Sequence, residues 1–273
     1  MKTILKKILS IKHYKSRKKN ISKLDLTEVF SSYLPASAGS YKMYEKFIKD
    51  NINSVIPLLA QLSENFKQVK ILNINELDLD IENANKLGSL FKKYKSDKST
   101  THNYHLIYSF VISKLKDRFV LLEIGLGSNN VEIISNMGKG GNPGASIYAF
   151  KEMYPNGEIY GADIDDKINL EDSNIKTYFV DQADQKTFNE LAKKIDKKFD
   201  LIIDDGLHSQ FTNLNTLIFA LENLNKDGYL IIEDIPEYAL DTWKVVANII
   251  PTNFSFLLIK TKVAFVGLLK KEN

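Results

Sequence analysis

The stretch FDLIIDDGLHSQFTNLNTLIFALENLNKDGYLIIED, residues 199–234, decides the fold. Its ends, FDLIIDDG and GYLIIED, are short and almost continuously apolar. Its middle, QFTNLNTLIFALENL, has helical length and spacing. Two apolar strands joined through a helix lie parallel in a sheet that is covered on both faces. Upstream the same alternation recurs. RFVLLEIG (118–125), EIYGADID (158–165) and IKTYFVDQ (175–182) read as strands, and QKTFNELAKKI (185–195) as a helix. The expected fold class is therefore α/β, with a doubly wound, mostly parallel sheet. The chain continues into NFSFLLIKTKVAFVGLLKK (253–271), two strand-like runs close together, expected as an antiparallel hairpin at the sheet edge.

Outward on the N-terminal side the pattern becomes helical. YKMYEKFIKDNINSVIPLLAQLSENF (41–66) and YHLIYSFVISKL (104–115) carry apolar residues near a 3.6-residue period, with Pro57 expected to begin or break a helix. SSYLPASAGS (31–40) reads as a loop. Three regions follow: a basic arm at 1–40, a helical region at 41–116 and the sheet domain at 117–273.

The 273 residues carry a net charge of +3 and no cysteine. Disulfides, thiolate metal sites and cysteine nucleophiles are excluded. The first twenty residues hold eight basic side chains and no acid, which leaves the remainder at −5. Ile4, Leu5, Ile8, Leu9 and Ile11 fall near one helical face among lysines. Such a helix docks on its own domain or on a second subunit, or rests on an anionic membrane surface. Lysines interrupt the apolar stretch, so it makes a poor signal peptide. No apolar run is long enough to span a bilayer. The acidic body and the lack of a recognition fold speak against nucleic acid as a partner. The expected setting is cytoplasmic, with peripheral membrane contact at the inner face through the basic arm, and a homo-oligomer.

Ligands of open parallel sheets bind outside the carboxyl ends of the strands. Every strand here delivers acids to that edge: Glu123 before Gly125 and Gly127, Asp163 and Asp165, Asp181 with Gln182, Asp204 and Asp205, and Glu233 and Asp234. One such acid is an ordinary helix cap, but five strands doing so need a cation or hydrogen-bond donors to offset their repulsion. Ribose hydroxyls and a hard metal ion would meet that need. Asp163, ending the second of these strands, fits a ribose hydroxyl pair. GLGSNN (125–130) lacks the third glycine of a pyrophosphate-binding turn, which disfavours a dinucleotide.

In order and spacing, VLLEIGLG, YGADID, VDQAD, FDLIIDDGLH and DGYLIIED resemble the class I methyltransferases that use S-adenosylmethionine. More closely they resemble bacterial sugar O-methyltransferases of the mycinamicin and macrocin type and their surface-polysaccharide relatives. YKSDKSTTHNY (94–104) resembles the segment preceding the core there. The resemblance covers roughly residues 90 to 240 and implies a Rossmann-like methyltransferase domain. It implies that Glu123, Gly125, Gly127, Asp163, Asp181, Gln182 and Asp204 surround S-adenosylmethionine. It implies that Asp205, Glu233 and Asp234 bind a divalent cation (Mg or Mn), and that His208, with Asp205, is catalytic as general base. SNMGKGGNPGAS (135–146) would be a mobile flap. Leu207 stands where these relatives often have serine.

Oxygen ligands on adjacent strand ends suit magnesium, and a neutral histidine beside a cation can take the proton of a sugar hydroxyl. His102, Tyr104 and Lys139 are candidate substrate contacts. Lys98 and Lys139 near the flap would neutralise the phosphates of a nucleotide-linked sugar, the expected acceptor, used for capsule or other surface polysaccharide. Two other readings use the same sheet. A nicotinamide-dependent oxidoreductase is disfavoured by the missing glycine. A non-catalytic S-adenosylmethionine-binding protein is disfavoured by His208 and the acids.

Overall fold

The computed structural model describes residues 56–63, 69–168, 170 and 175–272. The basic arm and the 31–40 loop lie outside the described residues. The chain divides into two compact units, Met1–Leu62 and Ser63–Asn273. Residues 56–63 are helical and contain Pro57. No helix among the described residues is long and apolar enough to cross a membrane.

The second unit is built on one eight-stranded sheet. In chain order its elements are β1 (Ile71–Asn73), α1 (Ile81–Lys93), α2 (Tyr104–Ile112), β2 (Val120–Ile124), α3 (Ala145–Met153), β3 (Glu158–Asp163) and β4 (Lys176–Phe179). There follow α4 (Gln185–Ile195), β5 (Phe199–Asp204), α5 (Gln210–Asn223), β6 (Leu224–Ile235), α6 (Leu240–Ile249), β7 (Phe254–Lys260) and β8 (Phe265–Lys271). The strand order is β1-β7-β8-β6-β5-β2-β3-β4. All neighbours are parallel except β8, which runs antiparallel to β6 and β7. The expected α/β sheet and C-terminal hairpin are both present.

Two local expectations need correction. The hairpin does not form the edge, because β1 pairs in parallel with β7 through Ile71 and Leu258 and lies outside it. The 41–116 region is therefore not all helical. A three-residue strand carries little periodicity of its own and exists through pairing with a segment nearly 190 residues away.

Helices cover both faces of the sheet. On one face Leu87, Phe91, Ile107, Tyr108 and Phe150 of α1, α2 and α3 pack on Leu121, Leu201, Ile203 and Ile231. On the other, Phe188, Leu217, Phe219 and Trp243 of α4, α5 and α6 pack on Leu122, Ile124, Ile202, Leu230 and Ile232. Successive strand residues thus alternate between faces. The same alternation carries past the apolar residues to the strand ends. Glu123, Asp205 and Glu233 fall in step with Leu121, Ile203 and Ile231, towards α1–α3. Asp204 falls in step with Ile202, towards α5.

Candidate active site

A cleft of about 550 Å³ opens at the carboxyl ends of β2, β3, β5 and β6. Gly125, Gly127, Asp163, Asp181, Gln182, Asp205, His208, Glu233 and Asp234 all line it, as does His102. Its volume suits a small molecule of cofactor size. Ile133, Ile134, Ser135, Met137 and Asn142, from the glycine-rich segment expected as a flap, form one wall.

Asp163 is held from both sides. Its Oδ2 accepts the Leu126 amide at 2.7 Å and its Oδ1 accepts the Asp165 amide at 2.9 Å. Burial raises its carboxyl above the usual range, against these backbone donors. Each oxygen keeps lone-pair capacity, so the group is an oriented acceptor for a diol. Asp181 lines the cleft with Oδ1 bonded to the Ala183 amide of its own turn.

Three expected cofactor contacts have other employment. Gln182 is fixed through its whole amide. Its Oε1 accepts from Leu207 N at 2.9 Å, and its Nε2 donates to Asp204 and Thr216 at 2.7 and 3.0 Å. Asp204 is fully buried and also accepts from Asn213 at 3.0 Å, so it supports Gln182 from beneath and does not line the cleft. Glu123 is likewise fully buried. Ser146 Oγ lies 2.7 Å from both its oxygens, and Glu123 does not reach the cleft. Burial pushes its carboxyl up to about 7, with Lys98 opposing. Both acids sit within the paired part of their strands, Glu123 opposite Ile203 and Asp204 opposite Ile124, one step short of the residues that open on the cleft.

The acid cluster is organised around Lys98, which sits in a single 3₁₀ turn, Asp97–Ser99, between α1 and α2. Its Nζ is 2.7 Å from Asp205 Oδ2, 2.8 Å from each Glu233 oxygen and 3.5 Å from Glu123 Oε1. Burial works against the ammonium, but Asp205 and Glu233 outweigh it and hold Lys98 cationic, well above the usual lysine range. Tyr108, one turn after Tyr104 on α2, donates to Glu233. Tyr104 donates to Asp234 Oδ1 at 2.7 Å and stacks on His102 at 4.6 Å between centroids. Burial, with Glu233 and Asp234, raises the Tyr104 phenol far above its ordinary value.

These contacts revise the expected roles. Lys98 lines the same cleft as the glycine-rich segment, but its charge is engaged inside the carboxylate cluster. Lys139 is exposed and does not line the cleft. Tyr104 is buried on Asp234 and is no surface for a substrate. Glu233 gives both oxygens to Lys98 and one also to Tyr108. Asp205, His208 and Asp234 form a group that could hold a metal ion. Each offers a ligand atom, and the three atoms lie within 4.8 Å of one another. His208 Nε2 is 3.7 Å from Asp205 Oδ1 and from Asp234 Oδ2. Carboxylate oxygens with an imidazole suit a divalent ion of the magnesium or manganese kind. Tyr108 escaped the sequence reading, although its spacing of four from Tyr104 places both on one helix face.

The mostly parallel sheet, covered by helices on both faces and with a cleft at the carboxyl ends of its strands, is a Rossmann-like fold. Residues 140–255 match the family described as "Methyltransferase domain". The chain is similar to bacterial sugar O-methyltransferases. It is 29% identical over 150 residues to the 8-demethyl-8-alpha-L-rhamnosyl tetracenomycin-C 2'-O-methyltransferase of Streptomyces olivaceus, covering 55% of this chain and 37% of that protein. It is 37% identical over 93 residues to the demethylmacrocin O-methyltransferase of Streptomyces fradiae, covering 34% and 23%. The chain thus spans little more than a third of the first of these relatives. Among solved structures, the MycE methyltransferase of the mycinamycin biosynthetic pathway, in complex with Mg, SAH and mycinamycin VI, shares the fold. Its TM-score is 0.57 at 22% identity, over 69% of this chain and 54% of that one.

Proposed function

We propose that this protein transfers a methyl group from S-adenosylmethionine to a hydroxyl of a sugar, with His208 as the base and a divalent cation held at Asp205 and Asp234. The observation that carries the reading is that one cleft is lined both by the doubly anchored Asp163 and by the His208, Asp205 and Asp234 group. The first suits a ribose and the second suits proton removal from a weak acid. The relatives named above, which bear sugar O-methyltransferase names, point the same way.

In this reading Asp163 fixes the ribose hydroxyls and so aims the sulfonium methyl towards the far end of the cleft. His208 takes the acceptor proton at Nε2. The oxygen–methyl bond forms as the sulfur–methyl bond breaks, and S-adenosylhomocysteine leaves. Asp205 and Asp234 flank the imidazole, each with an oxygen 3.7 Å from Nε2. A bound cation would lower the pKa of the acceptor hydroxyl. His102, on the cleft wall and stacked on the fixed Tyr104 ring, is placed to border the acceptor. Alignment of oxygen, methyl and sulfur makes positioning the main contribution of the protein.

The acceptor is proposed to be a sugar presenting neighbouring hydroxyls and carried on a larger molecule. A nucleotide-linked carrier loses its two supporting lysines, Lys98 and Lys139. Use of the product in surface polysaccharide, a peripheral membrane contact of the basic arm and a homo-oligomeric state are further parts of the proposal. The test is incubation with S-adenosylmethionine, magnesium and paired free, glycosidic and nucleotide-linked sugars, read by mass spectrometry. A gain of one methyl on a sugar supports the reading, and strict loss of turnover on chelation supports the cation. Methylation confined to non-sugar acceptors would overturn it.

A further inference from the structure

A second hollow, of about 690 Å³, opens beside the cleft. Asn142 of the glycine-rich segment lines both. Elsewhere a side-chain hydrogen bond divides them, from Ser128 on the cleft to Asp165 on the hollow. The hollow is lined by none of the residues assigned above to cofactor, base or cation.

Two tyrosines give it an aromatic side. Tyr94, which ends α1, and Tyr148 of α3 stack with centroids 5.7 Å apart and ring planes at 23°. Tyr94 is anchored: its hydroxyl donates to Glu152, and Lys93 Nζ lies 5.1 Å from its ring centroid. The pair is a preformed surface, so a ligand loses little in ordering it. The rest of the lining is mostly amide. Asn129 and Asn130 come from the turn after β2. Asn142 Nδ2 donates to Tyr94 O at 2.7 Å, and its Oδ1 remains an acceptor. Asp165 and Lys167 bring one charge of each sign. That balance favours neither a phosphate nor a cation, and three amides disfavour a wholly apolar ligand. Aromatic surface beside amide donors and acceptors suits a sugar ring, with its apolar C–H face and rim of hydroxyls.

We propose that this hollow is a sugar subsite: it takes a neutral ring of the same glycan whose hydroxyl is methylated in the cleft. The ring lies against Tyr148, with its hydroxyls on the asparagine amides. The link between the two rings rests on the proposed function. Tyr94 stands two residues before Ser96, and Ser96, Asp97 and His102 line the part of the cleft given to the acceptor. A glycan can run from there past Asn142 to the tyrosines. The acceptor is then an oligosaccharide of at least two rings.

The experiment is a saturation-transfer NMR titration of the full chain with S-adenosylhomocysteine present. The probes are maltose, lactose and N,N'-diacetylchitobiose. At least one is expected to bind, and Tyr148→Ala is expected to weaken it roughly tenfold. Tyr148→Phe keeps the ring and should stay within about threefold of the unaltered protein. Asn129 is exposed, so Asn129→Leu tests the amide without disturbing the core and should weaken binding roughly fivefold. It decides the matter should Tyr148→Ala fail to fold. No binding of any probe overturns the inference, as does undiminished binding in Asn129→Leu or in folded Tyr148→Ala. Methyl transfer is read separately by mass. Tyr148-dependent binding with no sugar ever methylated overturns the proposed function and the link between the rings, and supports the subsite itself.

Discussion

His208 and Asp234 face each other at 3.7 Å, Nε2 to Oδ2, and both hold their backbones in the left-handed region, at φ 54° and 53°. Neither is glycine, so each position stores strain of roughly 1 to 2 kcal/mol. Both positions line the same cleft. His208→Gly should therefore be more stable to thermal unfolding by roughly 1 kcal/mol. The same variant should lose roughly two to four orders of magnitude in turnover. Differential scanning fluorimetry and a methyl-transfer assay give both numbers. A variant less stable than the unaltered protein would mean that the imidazole is a net structural asset.

Asp163 ties the turn after β2 to the end of β3 while presenting its carboxylate to the cleft. Asp163→Ala should weaken S-adenosylhomocysteine binding by roughly 1.5 to 3 kcal/mol, the range for hydrogen bonds to a charged acceptor. It should also lower stability, since the Leu126 and Asp165 amides lose their acceptor. Asp163→Asn keeps one acceptor oxygen and should fall between. Calorimetry showing undiminished affinity in the alanine variant would remove the ribose role.

Glu123 makes a prediction in pH. Its carboxyl stands at about 7 in the folded chain against an ordinary 4.5, with burial as the main cause. The folded state therefore holds this proton more tightly than the unfolded state does. The stability it contributes is fully present below about 4.5 and is lost as pH rises through about 7. Glu123→Gln should flatten the decline of melting temperature between pH 5 and 8. An unchanged slope in the variant would place that titration elsewhere.

The sheet was legible because its strands are runs of Val, Ile and Leu ending in acids, a pattern set locally. That Asp163, Asp205, His208 and Asp234 line one cleft was legible for the same reason: topology alone sends strand ends to one edge. Glu123 and Asp204 do not line the cleft because both still lie in the paired part of their strands, and the sequence does not show where pairing stops. Lys98 is the instructive case. Within YKSDKSTTHNY nothing distinguishes it from exposed Lys95 three residues earlier. Its burial comes from acids 107 and 135 residues away in sequence. The three-residue β1 is hidden in the same way, since its partner lies on β7.

Gly125 and Gly138 separate site geometry from ordinary loop strain. Both have positive φ, 92° and 69°, so alanine is strained at either. At Gly138, in the glycine-rich wall, an added Cβ meets nothing within 4 Å. Gly138→Ala should therefore cost only the backbone penalty, roughly 1 kcal/mol. At Gly125 the added Cβ would lie 2.1 Å from the Asp205 carbonyl oxygen and 2.6 Å from Gly206 Cα. Both are backbone atoms, and the Asp205 amide further donates a hydrogen bond to Ile124 O at 2.8 Å. The strand ends cannot separate without moving the carboxylate that meets Lys98 and His208. Gly125→Ala should thus cost several kcal/mol by overpacking and strain together, and should lower turnover beyond its effect on folded fraction. Urea unfolding of both variants, with turnover measured under conditions where each is folded, checks the contrast. Comparable stability losses at the two glycines would show that β2 and β5 can part freely, and the close approach at Gly125 would then not be what sets Asp205.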